Sequence, residues 1–405
     1  MKKVIFLWSF TLLTFDSLAN DNIFTLEDVI ERSLTVSPNL GVLSKELDIS
    51  ESKLKQARAK KYPQFTGTVL SGGIFNVIRA DLFQPVYTFG KISSSEKAAE
   101  KGVEATMATI REGKSDTVEK ATEAYYKLQL AYTLNEFAIE GKATTEKTLN
   151  RLEELLEIGS PKATQTDKLN LRVLLSNINK EVGRSVNAVE LSKAVLKRML
   201  GIENDFDIDS HSLEPIAFEI NNLTFYKEKA LKERPQIIAT EAGLQAKEFL
   251  VKKAKSEYFP TIFVGGTLRY SQSTIFEDTI IGGAGIGINQ VLNFSISADI
   301  SEAKAEYTKS LKEKDVLLDE IDLDIEKAYI DVIENKDNID NDKEGLEAAR
   351  TLLLNTASNY DLGIGTIKDL INALSTFLNE GGEYYQSVYL HNLSVARLKR
   401  VTGQS

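Results

Sequence analysis

The sequence contains no cysteine among its 405 residues, so no disulfide framework, thiolate metal site or thiol-linked lipid anchor can be built from it. Histidine is nearly absent too: only His211 and His391 occur, far apart in the chain. Serines and carboxylates are plentiful but unclustered, so no catalytic constellation is legible. The expectation is a non-enzyme with no cofactor and no metal. Positive charge is outnumbered, and a formal net charge of −10 disfavours a nucleic-acid partner, which needs a basic surface. Proline is sparse: its seven positions are 38, 63, 85, 161, 215, 235 and 260. The stretch 86–160 and everything beyond 260 therefore lack the residue that most strongly breaks helices. After residue 15, no apolar run approaches the roughly 20 residues of a transmembrane helix. If the chain spans a membrane, it does so as strands.

What is present points to a folded, exported chain. At 42% hydrophobic and 27% charged, the sequence is too apolar for disorder. Lys2 and Lys3 precede an apolar run from Val4 to Phe15, followed by Ser17-Leu18-Ala19 with small residues where a signal peptidase reads. The run is short for a membrane anchor, so 1–19 is expected to be a signal peptide cleaved after Ala19.

The chain also repeats itself. "LKRMLG" at 196–201 returns as "LKRVTG" at 398–403, roughly 200 residues on. Pro38 and Pro63 are matched by Pro235 and Pro260, Phe89 by Phe294, Gly159 by Gly363, and Asp167 by Asp369. The step between partners lengthens by about eight residues between Pro260 and Ile288 and shortens by about two between Gly363 and Asp369. Length changes of this kind collect in loops. A unit of this size is too long for a solenoid repeat, so one architecture is built twice. The expected division is a first repeat at 20–210 and a second at 211–405.

Within each repeat the spacing is helical over unusual lengths. Val118, Ala121, Tyr125, Leu128 and Tyr132 step by 3, 4, 3, 4, as do Leu318, Ile321, Ile325, Ala328 and Val332. That is a heptad-like seam. Single helices over 91–158 and 302–362 would each run about 90 to 100 Å at 1.5 Å per residue. Each ends at a glycine and is followed by Thr164-x-x-Asp167 or Thr366-x-x-Asp369, capping-box starts for a returning helix. Long helical hairpins are thus expected at 91–200 and 296–402. Gly381 and Gly382 interrupt the last helix, where a kink or a close helix approach is expected.

Between the shorter and longer helices, about 64–89 and 261–294 alternate and fill with β-formers and glycine. Each reads as two strands of about nine to eleven residues, long enough to cross a bilayer when tilted. The turns are placed at 72–77 and 271–279. Four strands cannot close a transmembrane barrel, which needs at least about eight. A dimer would supply eight and a trimer twelve, and only twelve leaves room for a pore. Soluble hairpins on an extracellular coiled-coil protein are the alternative.

"FQPVYTFGK" at 83–91, "NYDLGIGTIKDLINA" at 359–373, the paired LKR-x-x-Gly phrases and the duplicated proline frame resemble the TolC-like outer membrane efflux protein family. The likeness covers essentially the whole chain after the leader. It implies an α+β membrane protein, a homotrimer closing a twelve-stranded β-barrel in the outer membrane of a Gram-negative bacterium above a long periplasmic α-helical barrel. It further implies a passive exit duct of a tripartite efflux pump or type I secretion system. Such a duct is in contact with outer membrane lipid. It docks onto a periplasmic adaptor and an inner-membrane transporter of the RND, ABC or MFS type. In that family the helical tip is the gate. By the resemblance Asp369 is the first acid of the tip motif, while Asn372 stands where a second acid is expected. Asp361, beside Tyr360, is a further candidate for tip charge, and Gly159, Gly363, Gly365 and Thr366 mark the turns expected to meet the adaptor. Local capping alone also explains Asp369 and Asp167. A secreted structural coiled-coil protein without channel activity is the competing reading.

Overall fold

Thr25 begins the ordered helices. Its hydroxyl accepts the Asp28 N–H while the Asp28 carboxylate takes the Thr25 N–H and hydroxyl, a capping box that pairs donors a helix start leaves open. The structure, a computed structural model, describes residues 23–73, 75–161, 163–273, 277–290 and 294–404; the expected leader at 1–19 lies outside them.

Two matched series of elements follow. The first is β1 (Ile23–Phe24), α1 (Leu26–Val36), α2 (Pro38–Ala59), β2 (Gln64–Gly72), β3 (Phe75–Tyr87), α3 (Lys91–Glu157) and α4 (Gln165–Leu200). The second starts four residues before the expected boundary at 211, with β4 (Asp207–Ile208), and continues through α5 (Leu223–Glu233), α6 (Pro235–Ser256), β5 (Thr261–Ser273), β6 (Thr279–Asn289), α7 (Ile296–Leu362) and α8 (Ile367–Val401). Partner helices agree in length at 11 and 11, 22 and 22, 67 and 67, and 36 and 35 residues. Pro38 and Pro235 each open a 22-residue helix at its first position, where a missing N–H is harmless.

The 67-residue helices are each about 100 Å long at 1.5 Å per residue. Gly113 and Gly141 of α3 mark close approaches, whereas Gly102 faces open space, and none of the three breaks the helix. A Cβ at Gly113 would lie 2.4 Å from Leu43 Cδ1, and one at Gly141 would lie 2.4 Å from Leu378 Cδ2. In α8, which is unbroken, a Cβ at Gly381 would lie 2.1 Å from the Phe137 ring, whereas Gly382 faces open space. Gly381 is therefore the seat of an aromatic ring, and neither glycine interrupts the helix. No described helix is long and apolar enough to cross a membrane.

The four long strands form one antiparallel sheet in the order β2-β3-β5-β6, so the two repeats join through β3 and β5. The first turn is tighter than the expected 72–77: Gly72 already pairs with Phe75, and Val77 pairs with Leu70. The central strands β3 and β5 reach 13 residues, longer than expected, because each is paired on both sides. Pro85, which has no N–H to give the ladder, sits at a bulge between Pro85 and Tyr87.

The packed interior lies in the helical part. Tyr125, Leu128, Leu196, Leu200 and Val388 belong to one buried cluster, and Ile321, Ile325, Ala328, Val332 and Leu398 to a second. The heptad seams read from the sequence are thus largely core. The closing phrases act as paired brackets. Gly201 and Gly403 adopt left-handed backbone at φ 63° and 78°, and a Cβ there would meet Val36 Cγ1 at 2.7 Å and the Glu233 carbonyl carbon at 2.9 Å. Each returning helix is tied to the short helix opening its own repeat. Arg32 Nε donates to the Leu200 carbonyl at 2.9 Å, and buried Arg234 donates from its guanidinium to the Val401 carbonyl at 3.5 Å.

Candidate functional site

The tip is formed where α3 meets α4 and α7 meets α8, and both turns use the same backbone chemistry. Gly159 has φ 68°, with the Ser160 N–H donating to the Leu155 carbonyl at 2.9 Å and the Gly159 N–H to the Leu156 carbonyl at 3.1 Å. Gly363 has φ 80°, with the Ile364 N–H donating to Asn359 at 3.0 Å and the Gly363 N–H to Tyr360 at 3.0 Å. These are Schellman closures, which need a left-handed residue that glycine supplies without strain. A Cβ at Gly365 would sit 3.0 Å from the Tyr360 nitrogen, so the second turn also needs glycine for space.

The returning helices start on capping boxes. Thr164 Oγ1 accepts the Asp167 N–H at 3.1 Å and donates to Asp167 Oδ2 at 2.7 Å. Thr366 Oγ1 does the same with Asp369, at 3.2 and 2.6 Å. Asp369 is exposed, as are Asp361 and Asn372, and Asp369 and Asn372 stand three residues apart on one stripe of α8. Tyr360 is different. It is buried with Leu149, Leu152, Leu171, Ile367 and Leu370, its hydroxyl has no partner among the described residues, and burial, with Asp167 nearby, pushes its phenol up. Gly159 and Thr366 are exposed, and Gly363 and Gly365 are half-buried. The structure therefore brings Asp361, Asp369 and Asn372 to the solvent-facing end of the molecule and keeps Tyr360 inside it.

At the opposite end, the strand register sorts side chains onto two faces. Residues directly paired in the ladder share a face. One face carries Phe65, Val69, Ile78, Leu82, Val264 and Leu268, continued on β6 by Ile280, Ile286 and Ile288. It is largely apolar, with polar Ser71, Asn76, Gln84 and Gln272 lying toward the strand ends, and no described residue covers it: Phe65 is 81% and Ile286 80% exposed. The other face carries Thr66, Thr68, Arg79, Asp81, Thr267 and Arg269, together with Leu70, Ile281 and several glycines. Every charged residue of the four strands lies on that second face. Near its base the ring of Phe263 packs tilted against Phe83, 4.5 Å between centroids, and occupies the space a Cβ at Gly287 would fill, 2.5 Å away. The glycine run at 281–288 thus accommodates packing within strand β6, where a phosphate-binding motif would need its glycines in the loop after the strand.

Between tip and sheet, the segment joining the repeats is strapped across the helices. Gln129 donates to the Ser210 carbonyl at 3.0 Å, and Thr133 donates to the His211 carbonyl at 3.0 Å while accepting the Leu213 N–H at 3.2 Å. Tyr132 donates to Asp207 at 2.8 Å and stacks on His211 at 3.8 Å, while His211 Nε2 lies 2.8 Å from the same carboxylate. Burial pushes the Asp207 carboxyl up, but the His211 and Tyr132 bonds outweigh it and hold it below its ordinary value. Burial and that carboxylate push the Tyr132 phenol well up. On α8, Asn392 takes the Ile216 N–H at 2.9 Å and donates to the Glu214 carbonyl at 2.8 Å, and His391 Nε2 meets the Ile216 carbonyl at 3.2 Å. Both histidines therefore anchor the strap. Among the described residues no group of three or more His, Asp or Glu converges as a metal site requires.

Sequence reasoning missed this strap, the Arg32 and Arg234 caps and the gathering of charge on one sheet face. A signal for the caps existed, because Glu31-Arg32 returns as Glu233-Arg234 in step with the LKR phrases.

No family model matches the chain. Two curated relatives do. The "Toxin and drug export protein A" of Aggregatibacter actinomycetemcomitans is 22% identical over 397 residues, covering 90% of this chain and 83% of that protein. "Outer membrane efflux protein BepC" of Brucella suis is 22% identical over 344 residues, covering 80% and 73%. Among solved structures, the channel protein CusC superposes with a TM-score of 0.82 at 16% identity, covering 94% of this chain and 92% of that one. The tip turns, the duplicated helical hairpins and the two-faced sheet thus belong to a chain that resembles the TolC-like outer membrane efflux proteins in sequence and has their fold.

Proposed function

We propose that this chain is one subunit of an outer membrane exit duct, a passive conduit that carries solutes from the periplasm to the exterior. The single observation that carries the reading is the two-faced sheet. Among the described residues nothing covers its largely apolar face, and its outer strands β2 and β6 each lack a partner on one side. Open strand edges in hydrocarbon leave backbone groups unpaired at several kcal/mol each, so a sheet of this kind requires further copies of itself. Three copies give twelve strands around a lumen lined by the polar face. The helices, about 100 Å long, carry that lumen across the periplasm.

In this reading the tip meets a periplasmic adaptor through the turns at Gly159, Gly363, Gly365 and Thr366, and an inner-membrane transporter of the RND, ABC or MFS type drives export. Asp361 and Asp369, with Asn372, supply the polar rim of the tip opening, where three copies would set a ring of like charge that favours cations. Tyr360 holds the rim in place from within. The structural coiled-coil alternative gives the apolar sheet face no partner.

The test is purification from membranes followed by mass determination in detergent and current recording in planar bilayers. The expected result is a trimer in the outer membrane fraction that conducts ions. A monomer recovered without detergent and giving no conductance would overturn the proposal.

A further inference from the structure

Only three charged residues lie on the four strands: Arg79 and Asp81 on β3, and Arg269 on β5. The register places Arg79 directly opposite Arg269, and Asp81 directly opposite Thr267. Arg79 Nε donates to Asp81 Oδ1 at 2.9 Å, which leaves that pair neutral together. Among the described residues Arg269 forms no ion pair. Each chain thus carries one uncompensated guanidinium on this face.

The arrangement has no return in stability. Like charges directly opposed across a strand pair destabilise it. On a lipid-facing wall each arginine would cost about 2–4 kcal/mol at the membrane midplane. Both guanidiniums are tolerable only where water reaches them, which is the polar face. Each copy of the chain adds its pair to the same level of the wall, because the register fixes their height.

We propose that Arg79, Asp81 and Arg269 form an electropositive belt around the strand-built lumen that favours anionic solutes carrying several charges. The inference rests on the duct reading. Twelve strands about 4.8 Å apart and tilted by about 40° close a wall roughly 24 Å across. An arginine side chain reaching about 6 Å inward leaves a free radius of roughly 6 Å, within the Debye length of about 8–10 Å at 0.1–0.15 M salt. The field of the belt therefore reaches the axis at that ionic strength. At 1 M, where the Debye length is about 3 Å, it does not. Arg269 is the residue to test, since its replacement by a neutral side chain breaks no ion pair and brings the belt to zero net charge.

The experiment records single-channel current in planar bilayers at 0.1 M potassium chloride, with the trisulfonated dye pyranine added on the strand side. In the wild type, pyranine is expected to block the current, and the block should vanish at 1 M salt. In Arg269→Gln the half-blocking concentration should rise about tenfold or more while conductance persists, and Arg269→Lys should keep the wild-type block. Block unchanged in Arg269→Gln, or lost equally in Arg269→Lys, overturns the belt while leaving the duct intact. Absence of any wild-type conductance overturns the duct reading and the belt with it.

Discussion

Leu268 and Thr267 are neighbours on β5 whose side chains leave the sheet on opposite sides. Leu268, 56% exposed, lies on the apolar face between Ala80 and Gly282. Thr267 lies on the polar face opposite Asp81. Leu268→Arg places a guanidinium in hydrocarbon near the middle of the wall, at about 2–4 kcal/mol per copy. Three copies per barrel bring the penalty to roughly 6–12 kcal/mol, comparable with the whole stability of an ordinary domain at about 5–15 kcal/mol. Thr267→Arg puts the same group into water beside a carboxylate and should change stability by less than about 1 kcal/mol. The assay dilutes urea-unfolded chains into phospholipid vesicles and measures the protease-resistant fraction. Wild type and Thr267→Arg are expected to insert, and Leu268→Arg to lose most of the inserted fraction. If both variants insert equally, the apolar face does not meet lipid and the assignment of faces fails, because a solvated sheet tolerates either surface change within about 0.5 kcal/mol.

Three further outcomes follow from the helical part. Gly381→Ala drives a methyl into the Phe137 ring and should destabilise by about 1–3 kcal/mol, whereas Gly382→Ala, in open space, should stabilise by up to about 1 kcal/mol in thermal unfolding. Thr366→Ala removes a cap and should cost about 1 kcal/mol with ion selectivity unchanged; Asp369→Asn should lower cation preference in reversal-potential measurements, and unchanged selectivity there would leave capping as the residue's whole role. Asp207 has a depressed carboxyl, so its contribution to stability is present above the ordinary aspartate value, about 3.9, and is lost as pH falls through its lower folded value. Asp207→Asn should therefore be less stable than wild type at pH 7, with the gap narrowing in urea titrations as pH falls below the ordinary aspartate value.

Much of the fold was legible because the signals were local and occurred twice. Glycine followed by Thr-x-x-Asp states a helix end and a helix start in one phrase, and both copies of the phrase form the Schellman closure and capping box their residue types imply. The heptad steps through Tyr125 and Ile325 needed only the helical period to be read. Gly381 shows the limit of such reading. Its meaning lies in Phe137, a residue from another helix, and nothing adjacent in the chain reveals whether a helical glycine bends its own helix or admits a neighbour. The strap is illegible for the same reason: Tyr132, Asp207 and His211 meet only after α3 and the joining segment are packed.

The site divides along the same line. Asp369 could be found in the sequence because its cap is local, yet that local bond is also why the sequence alone could not assign it a pore role. Its Oδ2 is already engaged by Thr366, so a role toward a solute falls to its second oxygen, its charge and its exposed position. The belt is the converse case. Arg79 and Arg269 lie far apart in the chain, and alternation alone says only that each points to one side of its own strand. They share a face because β3 and β5 pair with Arg79 opposite Arg269; a slip of one residue would set Leu268 beside Arg79 and turn Arg269 towards the apolar side. The register that gathers the apolar residues for lipid therefore also gathers the charges for the lumen. A single pairing decision at the junction of the two repeats sets both the membrane fit and the charge of the conduit.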